Sequence, residues 1–177
     1  MENTERCDYM RRCFAIRWSA IRHKLENEYL AESLRGHIRY FATSYSKCPD
    51  HYGRASILLD GREIIEGSYW EQWSKGPLLP KDENYMLRTT GIFPIMDDIA
   101  LQFGQFDQRC FYRAFHEFDN QSIEKSLSSE NAIVRVFAIL DRRIGKRRLR
   151  AMKDTVHNEG EVFRTFFEIR ATAEDII

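Results

Sequence analysis

Asp60-Gly61 stands between two apolar runs, Arg54-Ala55-Ser56-Ile57-Leu58-Leu59 and Arg62-Glu63-Ile64-Ile65, and no other feature limits the fold as much. A two-residue type I′ connection needs positive φ at both central positions, and Asp-Gly accepts that at low steric cost. The two runs are therefore expected to pair as an antiparallel hairpin. A further strand is expected over 37–45, where Ile38, Tyr40, Phe41, Thr43 and Tyr45 crowd together before a Cys48-Pro49-Asp50 loop. So few strands do not hold as an isolated sheet, so helices must cover one face.

Periodicity elsewhere is helical. Phe14, Trp18, Ile21 and Leu25 recur at spacings of four, three and four, one stripe of an amphipathic helix over about 9–30, and Gly36 stops any continuation through Leu34. Ser68-Tyr69-Trp70-Glu71 reads as a capping box for a short helix ending at Gly76-Pro77. A long connection over 77–93 comes next, of a kind often functional or mobile. Pro94 then suits a first helical turn. Ile99, Phe103, Phe106, Cys110, Ala114 and Phe118 predict one long helix in which Gly104 is tolerated. Asp119-Asn120 is expected to cap a short helix through Leu127, and Ser128 or Ser129 the next, with its stripe at Ile133, Phe137, Leu140 and Ile144. Gly145 is expected to interrupt that helix before Leu149, Met152 and Val156 resume, and a last helix spans about 161–175.

The order predicts an α+β fold: an N-terminal helix, a small antiparallel sheet of about three strands with the Asp-Gly hairpin, then a predominantly helical C-terminal half. At 177 residues this is expected to be a single domain over 1–177, with the sheet part at about 37–66, the helical part at about 94–175 and residues 1–8 frayed. Met10 is an alternative start to Met1. With 43% hydrophobic and 13% aromatic residues the chain can exclude water without staples. Apolar runs fall short of a membrane span and no secretory leader opens the chain, so the expected compartment is the cytoplasm. Cys7, Cys13, Cys48 and Cys110 lack metal or redox spacing, and Cys13 and Cys110 read as small core residues. No cofactor is implied.

The formal net charge is zero, yet Arg142 to Lys153 holds seven Lys/Arg and no acid. Apolar residues on both sides of Gly145 turn these charges outward from a helix–break–helix element. One reading is an anion-binding surface made by Arg142, Arg143, Lys146, Arg147 and Arg150, contacting an acidic protein or nucleic acid. The other is pairing inside the molecule, because Asp154, Glu159, Glu161, Glu168, Glu174 and Asp175 come after it against only Arg164 and Arg170. Gly145-Lys146 is not a phosphate loop, since Leu140 stands where the first glycine belongs and Arg147 where Ser or Thr does.

The remaining constellations are weaker. Asp50, Asp60 and Glu63 suggest a metal-dependent hydrolase of nuclease type, the alternative function, but Arg62 replaces the lysine such a pattern needs. Cys48 and His51 share a loop without an oxyanion donor. His23, His37, His51, His116 and His157 are dispersed and read as surface or satisfied residues. Tyr69, Trp70 and Trp73 are read first as core contacts between their helix and the hairpin, and second as a docking patch.

Three segments together resemble an uncharacterised family of bacterial proteins. They are Trp18-Ser19 leading into Lys24-Leu25-Glu26 and Ser33-Leu34-Arg35-Gly36; Gly53-Arg54 with Asp60-Gly61-Arg62-Glu63-Ile64; and Leu140-Asp141-Arg142-Arg143-Ile144-Gly145-Lys146-Arg147. The resemblance spans about residues 18 to 170 and brings no catalytic residues. It implies a bacterial origin and a shared purpose for Asp141 to Arg147. The expectation is a binding module, leaning away from an enzyme.

Overall fold

The computed structural model describes residues 13, 15–44, 53–89 and 95–177. Pro94, Asp50, Cys48 and His51, with the N-terminal residues through Arg12, lie outside the described residues.

Helix α1 (Trp18–His23) continues directly as a π-helical turn over Lys24–Tyr29, closed by Leu30 N–H donating to Leu25 O at 3.0 Å. A 3-10 turn, Glu32–Leu34, leads through Gly36 at φ +87° into the sheet. Strands β1 (Ile38–Ser44), β2 (Gly53–Leu59) and β3 (Arg62–Ser68) form an antiparallel sheet in the order β1-β2-β3. Asp60 at φ 50° and Gly61 at φ 80° make the expected turn with left-handed backbone at both positions. The inner face (Ile38, Tyr40, Ala42, Ala55, Ile57, Ile65) is buried, and α5 (Gln108–Asp119) packs on β1 and β2 from that side.

A bulge lies between β2 and β3: Ile57 pairs with Ile65 while Leu58 pairs with Glu63. The extra residue, Ile64, brings Glu63 and Glu66 to the same face, which regular alternation would forbid. There both carboxylates meet Arg54, whose guanidinium bonds each through Nη2. Arg54 thus bridges along the outer face of the sheet, over Ser56, and Ser56 is wholly buried although its strand position is outward.

The helical half comprises α2 (Tyr69–Lys75), α3 (Tyr85–Thr89), α4 (Asp98–Gln102), α5, α6 (Ile123–Leu127), α7 (Ala132–Leu140), α8 (Lys146–Lys153) and α9 (Glu161–Ala173). The segment expected as one long helix is two. Gly104 takes φ +73°, and Asp107 starts α5 afresh by accepting from Cys110 N–H at 2.8 Å. Gly104 ends a helix rather than being carried within one. Its neighbour explains the break: a Cβ on Gly67 of β3 would lie 2.4 Å from Gly104 O and 2.6 Å from Phe106 N, so the strand and this link touch backbone to backbone.

Cap assignments also move. Ser122, not Asp119-Asn120, caps α6, and Asn131, not Ser128 or Ser129, caps α7 by accepting from Ile133 N–H. Ser68 does accept from Glu71 N–H at 3.2 Å, while the Glu71 carboxylate turns to Lys75 at 2.8 Å. The 77–93 connection is partly built structure. Arg88, 1% exposed, bonds both oxygens of Asp82 at 2.8 and 2.6 Å and Asp97 at 3.0 Å, and Asp97 in turn caps α4.

One buried cluster runs from Ile21 to Ala171, centred on α7, every apolar residue of which is buried. Phe111 and Phe118 each stack edge-on or tilted against Phe137, with ring centroids 5.4 and 5.7 Å apart. Cys13 and Cys110 are both buried. Burial, with Asp107 beside it, pushes the Cys110 thiol upward.

Candidate functional site

The basic run begins where α7 stops, and it stops one turn earlier than expected. Asp141 is the residue after the helix, in extended conformation and wholly buried. Its carboxylate accepts from Arg143 N–H at 2.7 Å, Arg143 Nε at 3.0 Å and Arg143 Nη2 at 2.7 Å. This side chain turns the main chain, so the break belongs to Asp141. Gly145, at an ordinary φ of −79°, opens the next helix as its N-cap rather than ending the last. On either side of Asp141 the main chain is tied to the exit of the π-helical turn: Ala31 N–H donates to Leu140 O at 3.0 Å and Arg142 N–H to Tyr29 O at 2.7 Å.

Arg143 folds inward from this turn. Its guanidinium lies 5.1 Å from the Tyr29 ring centroid and 5.4 Å from that of Phe118. Asp141 pushes its pKa upward. The Tyr29 hydroxyl donates to Asp119 at 2.5 Å, and Lys24 holds the same carboxylate at 2.9 and 3.0 Å. Burial and then the bond to Asp119 push the Tyr29 phenol upward.

The C-terminal helix answers part of the remaining charge. Lys146 Nζ reaches Glu174 O at 3.0 Å and its carboxylate at 3.4 Å, Lys153 reaches Ile176 O at 3.4 Å, and Arg148 pairs with Glu124 at 3.2 Å. Glu174 also accepts from Ser33 at 2.8 Å and pairs with the buried Arg170 at 3.0 Å. Burial alone would push the Glu174 carboxyl up, but Ser33, Arg170 and Lys146 together hold it below the usual range. Arg170 gives another N–H to Ile144 O at 3.2 Å, and burial lowers its own pKa. This is the internal pairing that the acidic sequence after Lys153 suggested, made at one end of α9.

Arg142, Arg147 and Arg150 are different. They are exposed and make no side-chain ion pair among the described residues. Arg147 and Arg150 are neighbours on the side of α8 away from the buried Leu149. Of the five residues read as a binding surface, Arg143 and Lys146 are thus largely turned to internal partners and three arginines remain outward.

Of the alternative acid set, Asp50 lies outside the described residues. Asp60 bonds His37 Nδ1 at 2.7 Å in the hairpin turn, Glu63 is engaged by Arg54, and no three His, Cys, Asp or Glu of the described residues are placed to hold a metal. His23 meets Glu28 at 3.2 Å. Trp70 and Trp73 correct the core reading, being 55% and 71% exposed. α2 seats through Glu71, whose Cβ lies against Gly104, and its tryptophans turn away from the core. The outer sheet face, with Arg22, Arg39, Arg54 and Ser56, escaped sequence reasoning. The signal for it was the alternation Arg39-Tyr40-Phe41 and Arg54-Ala55-Ser56-Ile57, which sorts polar residues to one side.

The geometry defines an α+β protein in which a helix–turn–helix element is clasped to the exit of a π-helical turn, and no helix of the described residues is long and apolar enough to cross a membrane. The chain belongs to the SF0329 protein family, whose model matches residues 17–171. No curated protein and no solved structure matches it.

Proposed function

We propose that this protein is a binding module that uses Arg142, Arg147 and Arg150 to contact an acidic protein. The observation that carries the reading is the division of the basic run. Arg143, Lys146, Arg148 and Lys153 have internal partners, whereas Arg142, Arg147 and Arg150 are exposed without one among the described residues. Asp154, one turn beyond Arg150, makes no ion pair with it. Their backbone is pre-organised, because Arg142 N–H is bonded to Tyr29 O and α8 is anchored by Leu149. The planar fork of an arginine forms two hydrogen bonds to a carboxylate for one immobilised side chain, so less freedom is lost per bond than with lysine, which favours affinity.

Three outward arginines on a chain of zero net charge suit a short acidic segment better than nucleic acid. Strong sequence-independent binding to a duplex commonly engages about 6–10 phosphates. The test is fluorescence anisotropy with a labelled polyglutamate peptide, duplex DNA and RNA across a salt series. The wild type is expected to favour the peptide, with salt-sensitive affinity falling at least about tenfold when Arg142, Arg147 and Arg150 are all changed to Gln. Equal binding by wild type and variant would end the proposal, and tighter binding of RNA or DNA would transfer the surface to nucleic acid.

A further inference from the structure

We propose that the outer face of the sheet is a second site, one that takes a small organic monocarboxylate with an apolar body. A groove of about 450 Å³ opens there, lined by Arg22, Glu26, Arg39, Phe41, Arg54 and Leu58 among others, with Ser56 beneath. That volume lies within the range of small-molecule sites. None of these residues belongs to the basic run, so the inference stands or falls apart from the binding-module reading.

The charge of the groove selects the ligand. Arg22 is exposed and makes no ion pair among the described residues. Arg39 gives Nη1 to Glu26 at 2.8 Å, and Arg54 gives only Nη2 to Glu63 and Glu66, so each retains guanidinium N–H groups without a hydrogen bond among the described residues. The two lining glutamates are already answered: Glu26 by Arg39 and by Tyr40 N–H at 3.1 Å, Glu63 by Arg54. Arg39 is answered by Glu26 and Arg54 by Glu63 and Glu66, so Arg22 is the one positive charge of the lining without a carboxylate partner among the described residues. A single carboxylate matches it. A phosphate dianion would over-neutralise it and face Glu26 and Glu63 at close range.

Two further features point to a ligand. Ser56 Oγ is wholly buried at the floor of the groove, where Glu63 also lines the wall, and it makes no hydrogen bond among the described residues. Such orphaned buried polar atoms are rare in native proteins and are commonly completed by a ligand, ion or water. Phe41, 40% exposed, and the half-buried Leu58 give the rim an apolar surface for the body of the ligand.

The experiment is a two-dimensional amide NMR titration of the full chain with phenylacetate, with 2-phenylethanol and inorganic phosphate as comparisons. Phenylacetate is expected to shift the Phe41, Ser56 and Leu58 amides saturably, and both comparison ligands to leave them in place. Arg22→Gln, at an exposed residue with no ion pair among the described residues, should weaken binding about fivefold or more, and Arg150→Gln should not. The proposal is overturned by absence of a saturable shift up to about 10 mM, by an equal response to phosphate, or by unchanged affinity in Arg22→Gln.

Discussion

Asp141 and Arg147 belong to one short stretch of sequence, yet one is wholly buried and the other faces solvent. The difference is decided by what each reaches. Removing the Asp141 carboxylate would leave the Arg143 guanidinium without its main partner and release the turn that the acid closes. Asp141→Ala strands a guanidinium that is 41% exposed, so water compensates part of the loss and the expected cost is about 2 kcal/mol. Arg143→Ala should cost more, about 3–5 kcal/mol, because it leaves the wholly buried Asp141 carboxylate without its guanidinium partner. Arg147→Ala should stay within about 0.5 kcal/mol. Urea unfolding of the three variants checks the order, and an Arg147→Ala as damaging as Asp141→Ala would refute the division of the run. At this scale the sequence showed where positive charge was dense but not its fate. Asp141, the main partner of Arg143, stands two residues away, and Glu174 lies in the acidic stretch that the sequence set against the basic run, but Tyr29 and Asp119 come from distant segments that no local pattern announces.

Elements were legible wherever a local cause suffices. The Asp60-Gly61 hairpin is such a case, since its backbone demand is met by those two residues alone. The single long helix through Gly104 failed because the apolar stripe continues past a real break: Phe106 is buried by packing in the link, not by helical phase. What imposes that break is tertiary, the passage of β3 against the link at Gly67. A methyl group there would meet Gly104 O and the Phe106 backbone, atoms that cannot swing aside as a side chain can. Gly67→Ala should therefore destabilise by about 3 kcal/mol, at the upper end of overpacking penalties. Gly104→Ala, strained by its positive φ, should cost about 1–2 kcal/mol. A thermal-shift series would show both, and a neutral Gly67→Ala would mean that strand and link do not meet. A similar constraint operates at α9. Gly160 leaves room for the Asp98 carboxylate, which accepts from Val162 N–H at 3.1 Å and caps the helix from another element. Asp98→Ala should cost about 1 kcal/mol, the ordinary worth of a cap, and hydrogen exchange should show the first turn of α9 opening sooner.

Over the whole molecule, polar and opposite-charge contacts close the chain on itself: Glu174, paired with Arg170 at the end of the C-terminal helix, joins that helix to Ser33 and Lys146, and Glu63 and Asp82 each answer an arginine. The carboxyls of Glu63, Asp82, Glu124 and Glu174 all lie below their ordinary range. For Glu174 burial opposes this and is outweighed by Ser33 with Arg170 and Lys146, for Glu63 it is outweighed by hydrogen bonds with Glu66 and Arg54, and for Asp82 the hydrogen bond from Arg88 leads. A depressed folded-state pKa means that, as acid is added, the unfolded chain takes up protons first. The stabilisation these groups give is therefore complete above the unfolded carboxylate range, near pH 4–5, and is lost as pH falls through the lower folded values. The raised arginines titrate far above any working pH and leave no mark on this window. The melting temperature is thus expected to be level from about pH 7 to 5 and to drop below about pH 4. Glu174→Gln makes the expectation specific to one group. It should be less stable than wild type at neutral pH, because Arg170 and Lys146 lose a charged partner, and the gap should narrow as acid protonates Glu174 in the wild type. Thermal unfolding of both proteins from pH 7 to about 3 measures that gap. A gap of constant size would show that Glu174 acts through packing and hydrogen bonding alone, and that its charge does not hold the C-terminal helix to the basic run.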